Sequence, residues 1–113
     1  MSAFQDKLTT LRQDFHRNPE LGFHEERTKQ IVAAHLENLG IEVQTGVGVV
    51  GILRAGSGNR AIGLRADMDA LPITETSRHS YTSQTNGVMH ACGHDGHMAM
   101  LLGAAERLVK DGG

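Results

Sequence analysis

The segment HACGHDGH, residues 90–97, holds the densest group of metal-binding side chains in the sequence. Cys92 and His94 are two residues apart, a spacing that places side chains of an extended or turning segment on the same side. A thiolate and an imidazole together suit Zn²⁺ and other borderline first-row metals rather than Mg²⁺ or Ca²⁺. His90 has the same parity, and His97 lies three residues further on. Because clusters this dense are typical of metal sites, we expect one here.

Asp67 and Asp69 form a second polar pair, and they also share a side by their spacing. A carboxylate beside an imidazole ligand usually accepts its ring N–H, which fixes the tautomer that binds the metal. The carboxylate can also bind the metal directly. Turn formation before Leu71-Pro72 is an alternative explanation for both acids, since Asp is favoured in turns.

The histidine-rich segment has other interpretations. Cys92 with His90 or His94 could form a nucleophile and base, but this chemistry needs one histidine and no orienting third residue is evident. Cys92 could also be a small buried side chain, or the segment could be a polar loop that caps a helix. The remaining histidines are scattered along the chain, and structural roles are expected for them: His16, His24, His35 and His79.

Length and composition limit the class of protein. A chain of 113 residues with 39% hydrophobic and 21% charged residues predicts one globular domain. A net charge of −2 argues against nucleic-acid or anionic-membrane partners, and no apolar stretch approaches the roughly 20 residues that span a bilayer. The sequence start lacks the pattern of a signal peptide. The single cysteine excludes an internal disulfide, so a reducing cytoplasm is the expected compartment.

Hydrophobic periodicity predicts the elements that position these residues. Apolar residues spaced by three and four predict a helix over 3–18, which ends at Asn18 because Pro19 follows. The pattern then predicts, in order, a helix over 24–39, strands over 41–43, 47–52 and 60–66, a polar loop over 74–88, and a helix that begins near Asp95 as N-cap. This order predicts an α/β fold with helices packed on a mixed sheet.

Three segments together resemble a known family. RQDFHRNPELGF, GLRADMDALPI and MHACGHDGHMAMLLGAA are similar to the N-terminal part of metal-dependent amidohydrolases. That family includes N-acyl amino acid amidohydrolases, hippurate hydrolases and plant auxin-conjugate hydrolases. The resemblance extends from Phe4 to Val109. It departs from the family pattern at His24, where an acid is usual, and at Met98, where a small polar residue is common.

The resemblance implies a di-metal hydrolase with an aminopeptidase-like fold, which cleaves the amide bond of N-acyl amino acids. Two divalent ions (Mn²⁺, Zn²⁺, Co²⁺ or Ni²⁺) would activate water between them. By the resemblance, Cys92 and His94 are metal ligands. Asp69 is similar to the family's ligand-supporting carboxylate and is the catalytic residue expected in this chain. Asp67 stands where the wider superfamily has a histidine ligand, which leaves its role open.

The resemblance covers only the beginning of the family's catalytic domain. The general-base glutamate, further ligands and a lid domain are expected beyond residue 113. Residues 1–113 are therefore expected to form a partial catalytic domain that is inactive alone and self-associates through exposed sheet edges. One alternative is a non-catalytic module that holds one metal ion through Cys92, His94 and His90. Another is a decayed gene fragment.

Overall fold

The computed structural model describes residues 2–54 and 56–111. It contains three helices and two strands in the order α1 (Ala3–Arg17), α2 (Glu26–Asn38), β1 (Glu42–Thr45), β2 (Val49–Ile52) and α3 (His94–Lys110). The α/β class is as predicted. The ends of the predicted 1–113 domain, Met1 and the last two glycines, lie outside the described residues.

Helix α1 begins and ends where the sequence predicts. Ser2 and Gln5 form a capping box at its start, in which each side chain accepts a hydrogen bond from the other residue's backbone N–H. Its apolar stripe packs mainly against α3. The buried core of this contact consists of Phe15, Met98 and Leu102. Met68 packs against this core, which connects the helix pair to the segment that carries Asp67 and Asp69.

Helix α2 begins at Glu26, two residues later than predicted, and its N-cap residue Glu25 makes no side-chain capping bond. The cap comes from Glu20 instead. Its carboxylate accepts hydrogen bonds from the Thr28 backbone N–H at 2.6 Å, the Thr28 hydroxyl at 2.7 Å and the Arg27 N–H at 3.1 Å. Gly40, with φ of 82°, follows the helix in the left-handed conformation that glycine favours.

Strands β1 and β2 form an antiparallel hairpin, with Glu42 opposite Ile52 and Thr45 opposite Val49. The hairpin packs on α2. Gly51 lies so close to this helix that an added Cβ would come within 3.1 Å of both Leu36 and Ile41 side chains. The glycine turn between the two strands is as predicted.

The predicted third strand over 60–66 is wrong. Among the residues that the structure describes, the sheet contains only β1 and β2, so it is antiparallel and not mixed. Ile62 and Leu64 in this segment are 90% and 56% exposed. A strand needs a neighbour to accept its backbone hydrogen bonds, and the apolar pattern alone does not supply one. Backbone pairing resumes at Ala70 and Leu71, which form isolated bridges to Leu21 and Met89.

Helix α3 begins at His94, with Gly93 as its N-cap in a left-handed conformation (φ 80°). The predicted N-cap role of Asp95 is therefore wrong. Asp95 lies in the first turn of the helix, where it is 2% exposed, and its carboxylate contacts α1 instead of the free N–H groups of α3. No helix in residues 2–54 and 56–111 is long and apolar enough to cross a membrane.

Candidate metal centre

His94 is the central side chain of the predicted site. Since it is the first residue of α3, the turn at Gly93 fixes where its ring points. His94 Nδ1 lies 2.8 Å from the Asp69 backbone carbonyl and 3.1 Å from Asp69 Oδ1. Both of these oxygens accept hydrogen bonds, so Nδ1 carries the proton and donates to them. The lone pair then lies on Nε2, the form in which an imidazole binds a metal.

Asp67 lies on the other side of the His94 ring. Its Oδ2 is 3.9 Å from His94 Nε2, too far for a hydrogen bond. Two ligands bonded to one ion at about 2.0–2.2 Å each lie up to about 4.2 Å apart, so this separation is compatible with a shared ion. Asp67 is 40% exposed and also forms an ion pair with Arg65. Asp67 and Asp69 therefore both lie beside His94.

Cys92 precedes α3 by two residues, and its free thiol is exposed. The interpretation as a small buried side chain is wrong, since the side chain is accessible to a ligand. Cys92 and His94 nevertheless do not belong to a close group of three donor atoms. Among the residues that the structure describes, the one group of this kind comprises His16, Glu75 and His79.

His90 is buried beside this segment, with 4% of its surface exposed. In the part of the chain that the structure describes, neither of its ring nitrogens has a hydrogen-bond partner. Burial lowers the pKa of His90, and this effect outweighs the opposing influence of the Asp95 carboxylate. The neutral ring is the metal-binding form, and buried unpartnered nitrogens are rare unless a ligand or ion satisfies them.

His97 lies in the first turn of α3, as predicted, and its ring is 6.0 Å from the ring of His94. Its Nε2 lies close to Gly93, 3.6 Å from the position that a Cβ of that residue would take. His97 is exposed and borders the site from the solvent side.

The sequence did not point to Asp95 as an organiser of this region. Its Oδ2 accepts hydrogen bonds from Arg12 Nε at 3.0 Å and His16 Nδ1 at 2.8 Å. His16 Nε2 faces the Glu75 carboxylate at 3.0 Å. Burial would raise the pKa of Glu75, but the Ser83 backbone N–H and His16 outweigh it and hold the pKa below its usual range. The sequence showed only that these side chains are of types that can pair, because His16 lies at least 59 residues from Glu75 and Asp95 along the chain.

The residues present fit a borderline divalent metal. The segment offers an exposed thiol at Cys92, an oriented imidazole at His94 and two nearby carboxylates. The buried His90 ring adds unpartnered nitrogen atoms beside them. This mixture of sulfur, nitrogen and oxygen donors is suited to Zn²⁺, Co²⁺ or related ions rather than to Mg²⁺ or Ca²⁺.

Comparison with known proteins finds relatives over nearly the whole chain. Residues 63–111 match peptidase family M20/M25/M40. The chain is 50% identical to thermostable carboxypeptidase 2 of Saccharolobus solfataricus, over 98% of this chain and 29% of that protein. It is 49% identical to the hippurate hydrolase of Campylobacter jejuni, over 93% of this chain and 28% of that protein.

The fold is similar to that of a solved relative. The crystal structure of Bacillus subtilis YxeP, described as a dinuclear metal-binding peptidase of family M20, superimposes with a TM-score of 0.93 at 37% identity. The match covers 97% of this chain and 32% of that chain. The chain thus spans under a third of the length of the proteins that it matches.

Proposed function

We propose that this chain is part of a metal-dependent amidohydrolase of peptidase family M20/M25/M40, which acts on N-acyl amino acids. The family match over residues 63–111 and the similarity to the carboxypeptidase, hippurate hydrolase and YxeP chains support this proposal. The observation that supports the proposal most strongly is the position of His94, with Asp69 on its Nδ1 and Asp67 facing its Nε2. A relative that carries the name hippurate hydrolase supports a small amide as the substrate class.

We assign the metal ligands in this chain to Cys92 and His94, and we assign two divalent ions to the complete site. A bound ion would polarise the amide carbonyl and lower the pKa of water, so that hydroxide is available near neutral pH. Asp69 orients His94 by accepting its Nδ1–H. Asp69 is thus the residue of this chain that keeps the imidazole in its metal-binding form.

We propose that these residues make up only part of an active site. Two protein ligands hold an ion weakly compared with the three or four of typical zinc sites. The resemblance assigns a general-base glutamate and additional ligands to a part of the family that this chain does not match. A base is needed to take the proton of the attacking water and pass it to the leaving amine. We therefore expect residues 1–113 alone to hydrolyse little or no substrate.

The test is hydrolysis of a panel of N-acyl amino acids by the encoded protein that contains this chain, with Mn²⁺, Zn²⁺, Co²⁺ or Ni²⁺ added. We expect activity that a chelator abolishes and that one of these ions restores. Cys92→Ser and His94→Ala should each lower kcat/KM at least 100-fold, because each removes a ligand. His24→Ala is the control, since His24 is an exposed histidine outside the site.

The outcomes also separate the alternatives. Full activity in both ligand variants would refute the proposal. Metal binding without hydrolysis of any amide would favour a non-catalytic metal-binding module. Activity that iodoacetamide removes and a chelator does not would favour a Cys92 nucleophile.

We also propose that the protein works in the cytoplasm, because a thiol that acts as a metal ligand must stay reduced. Cell fractionation checks this location.

The isolated chain is expected to self-associate through the segment over 60–66, where Ile62 and Leu64 are exposed. Ile62→Lys should lower the sedimentation coefficient at high protein concentration, whereas the exposed control Ser80→Lys should not. Equal sedimentation of the two variants would exclude this surface.

A further inference from the structure

We propose that His16, Glu75 and His79 form a second divalent-metal site, separate from the Cys92 and His94 centre. His16 lies in the last turn of α1, while Glu75 and His79 belong to the polar segment 74–88. One donor atom from each residue lies within 4.8 Å of the other two. We call this group the α1–loop cluster.

The distances in the α1–loop cluster are close to those of ligands around one ion. Glu75 Oε2 is 3.0 Å from His16 Nε2 and 3.4 Å from His79 Nε2. Ligands bonded at about 2.0–2.2 Å in a tetrahedral arrangement lie about 3.3–3.6 Å apart. An ion would therefore fit among these three atoms after small side-chain movements.

The surrounding contacts hold these donors in place. His16 Nδ1 lies 2.8 Å from Asp95 Oδ2 and donates to it, which leaves Nε2 facing Glu75. A carboxylate on the far nitrogen is the usual support of a metal-binding histidine. The Ser83 backbone N–H donates to Glu75 Oε1 at 2.7 Å and fixes that carboxylate. The side chains of His16 and Glu75 are only 4% and 2% exposed.

Charge and access favour a cation in the α1–loop cluster. Glu75 and Asp95 carry two negative charges, and Arg12, which binds Asp95 at 3.0 Å, balances one of them. A divalent ion bound there would replace protons on the ring nitrogens that face it, and the Glu75 carboxylate would attract its charge. His79 is 34% exposed, so water and metal can reach this side, and its ring stacks on Tyr81 at 4.0 Å. Two imidazoles and one carboxylate with an open position suit Zn²⁺.

Zinc at this cluster would connect the end of α1 to a segment that contains no helix or strand. Because His16 also contacts Asp95, the site would be linked to the first turn of α3 as well. Since the unfolded chain does not hold the three ligands together, binding would stabilise the folded state in proportion to the logarithm of free zinc.

The test is Zn²⁺ binding by the full 113-residue chain carrying Cys92→Ser and His94→Ala, which removes the ligands of the other centre. Equilibrium dialysis with metal analysis should find about one Zn²⁺ per chain, and zinc should raise the Tm. Adding His79→Ala should weaken zinc binding at least tenfold and abolish the rise in Tm. His24→Ala in the same background is the matched control, and it should retain both.

His79 is partly exposed, so its removal should leave the far-UV circular dichroism spectrum unchanged. The proposal is overturned if the background variant binds no zinc, because the cluster is then held by hydrogen bonds alone. It is equally overturned if His79→Ala binds zinc as tightly as the background. Neither result bears on the proposed amidohydrolase function, since the background lacks Cys92 and His94.

Discussion

Asp95 ties the start of α3 to α1 through two charge-assisted hydrogen bonds, from Arg12 and His16. The carboxylate is 2% exposed. Burying a carboxylate without such partners would destabilise the folded state, so the burial of Asp95 depends on its contacts with Arg12 and His16. Because Asp95 directly follows His94, they also fix the position of His94 relative to α1. A residue without an assigned role in metal binding therefore helps to aim one of the proposed ligands.

Glu20 caps α2 from outside the helix, through hydrogen bonds from the Thr28 and Arg27 backbone and the Thr28 hydroxyl. Thr28 is fully buried. Burial would raise the pKa of Glu20, but the hydrogen bonds from Thr28 and Arg27 outweigh this effect and hold the pKa below its usual range. The ionised carboxylate therefore stabilises the fold.

Glu20→Gln should lower the free energy of unfolding by about 1–2 kcal/mol at neutral pH, because an amide replaces the charge and offers only one acceptor oxygen. Urea denaturation measures this change. Glu26→Gln is the control. The Glu26 side chain is 73% exposed, and among the described residues its one ion pair is with Lys29, so its loss should change the free energy by less than about 0.5 kcal/mol. Equal stability of wild type and Glu20→Gln would contradict the capping role.

The comparison of wild type with Glu20→Gln also predicts how the free energy of unfolding depends on pH. The pKa of Glu20 is lower in the folded than in the unfolded chain, so its contribution is fully present above the unfolded pKa of about 4.3. It is lost as the pH falls through the folded pKa. The difference in unfolding free energy between wild type and Glu20→Gln should thus narrow below about pH 4. A constant difference down to about pH 3 would contradict the lowered pKa.

At the scale of single residues, side-chain type and spacing predicted part of the site. Chemistry indicated a carboxylate beside an imidazole, and the family resemblance assigned the supporting role to Asp69. Asp69 lies against His94 Nδ1 through its backbone carbonyl and its carboxylate. The prediction that Cys92 and His94 share a side assumed an extended or turning segment. Gly93 instead turns the chain with φ of 80°, and His94 already lies in a helix. The rule that residues i and i+2 point to the same side does not apply across such a turn. Spacing alone therefore could not predict the distance between the Cys92 and His94 side chains.

The helices and the hairpin were predictable because their signals are local. The apolar stripe and Pro19 set the length of α1, and the glycines near residues 46–48 set the turn between β1 and β2. The start of α2 was less predictable, since its cap is Glu20, six residues before the helix. The segment 60–66 has the apolar pattern of a strand without a strand neighbour in the described residues. Sheet formation depends on such partners, which a local pattern does not reveal.

The buried charge network lay beyond local reasoning. His16, Glu75 and Asp95 come from three distant parts of the sequence. The packing of α1 on α3 brings His16 and Asp95 together, and the segment 74–88 adds Glu75. His16 looked like one of several scattered histidines. Only the tertiary arrangement shows that it is 3% exposed and joins two carboxylates.

At the scale of the whole molecule, the proposed metal centre is built from two pieces of chain. One is the start of α3 with the preceding turn, and the other is the extended segment that carries Asp67 and Asp69. The chain spans under a third of its matched relatives. We therefore expect weak metal binding by the chain alone and tighter binding where additional ligands complete the shell.

Binding of Co²⁺ at Cys92 tests the central claim most directly, because the protein contains one thiol. Thiolate-bound Co²⁺ has a charge-transfer absorption in the near ultraviolet, and a site of histidines and carboxylates does not show it. Titration of the chain with Co²⁺ should produce this band with saturation. The band should disappear in Cys92→Ser, require at least tenfold more Co²⁺ in His94→Ala, and remain unchanged in His24→Ala and His79→Ala. Absence of the band in the wild-type chain at saturating Co²⁺, or an unchanged titration in His94→Ala, would contradict the assignment of Cys92 and His94 as metal ligands.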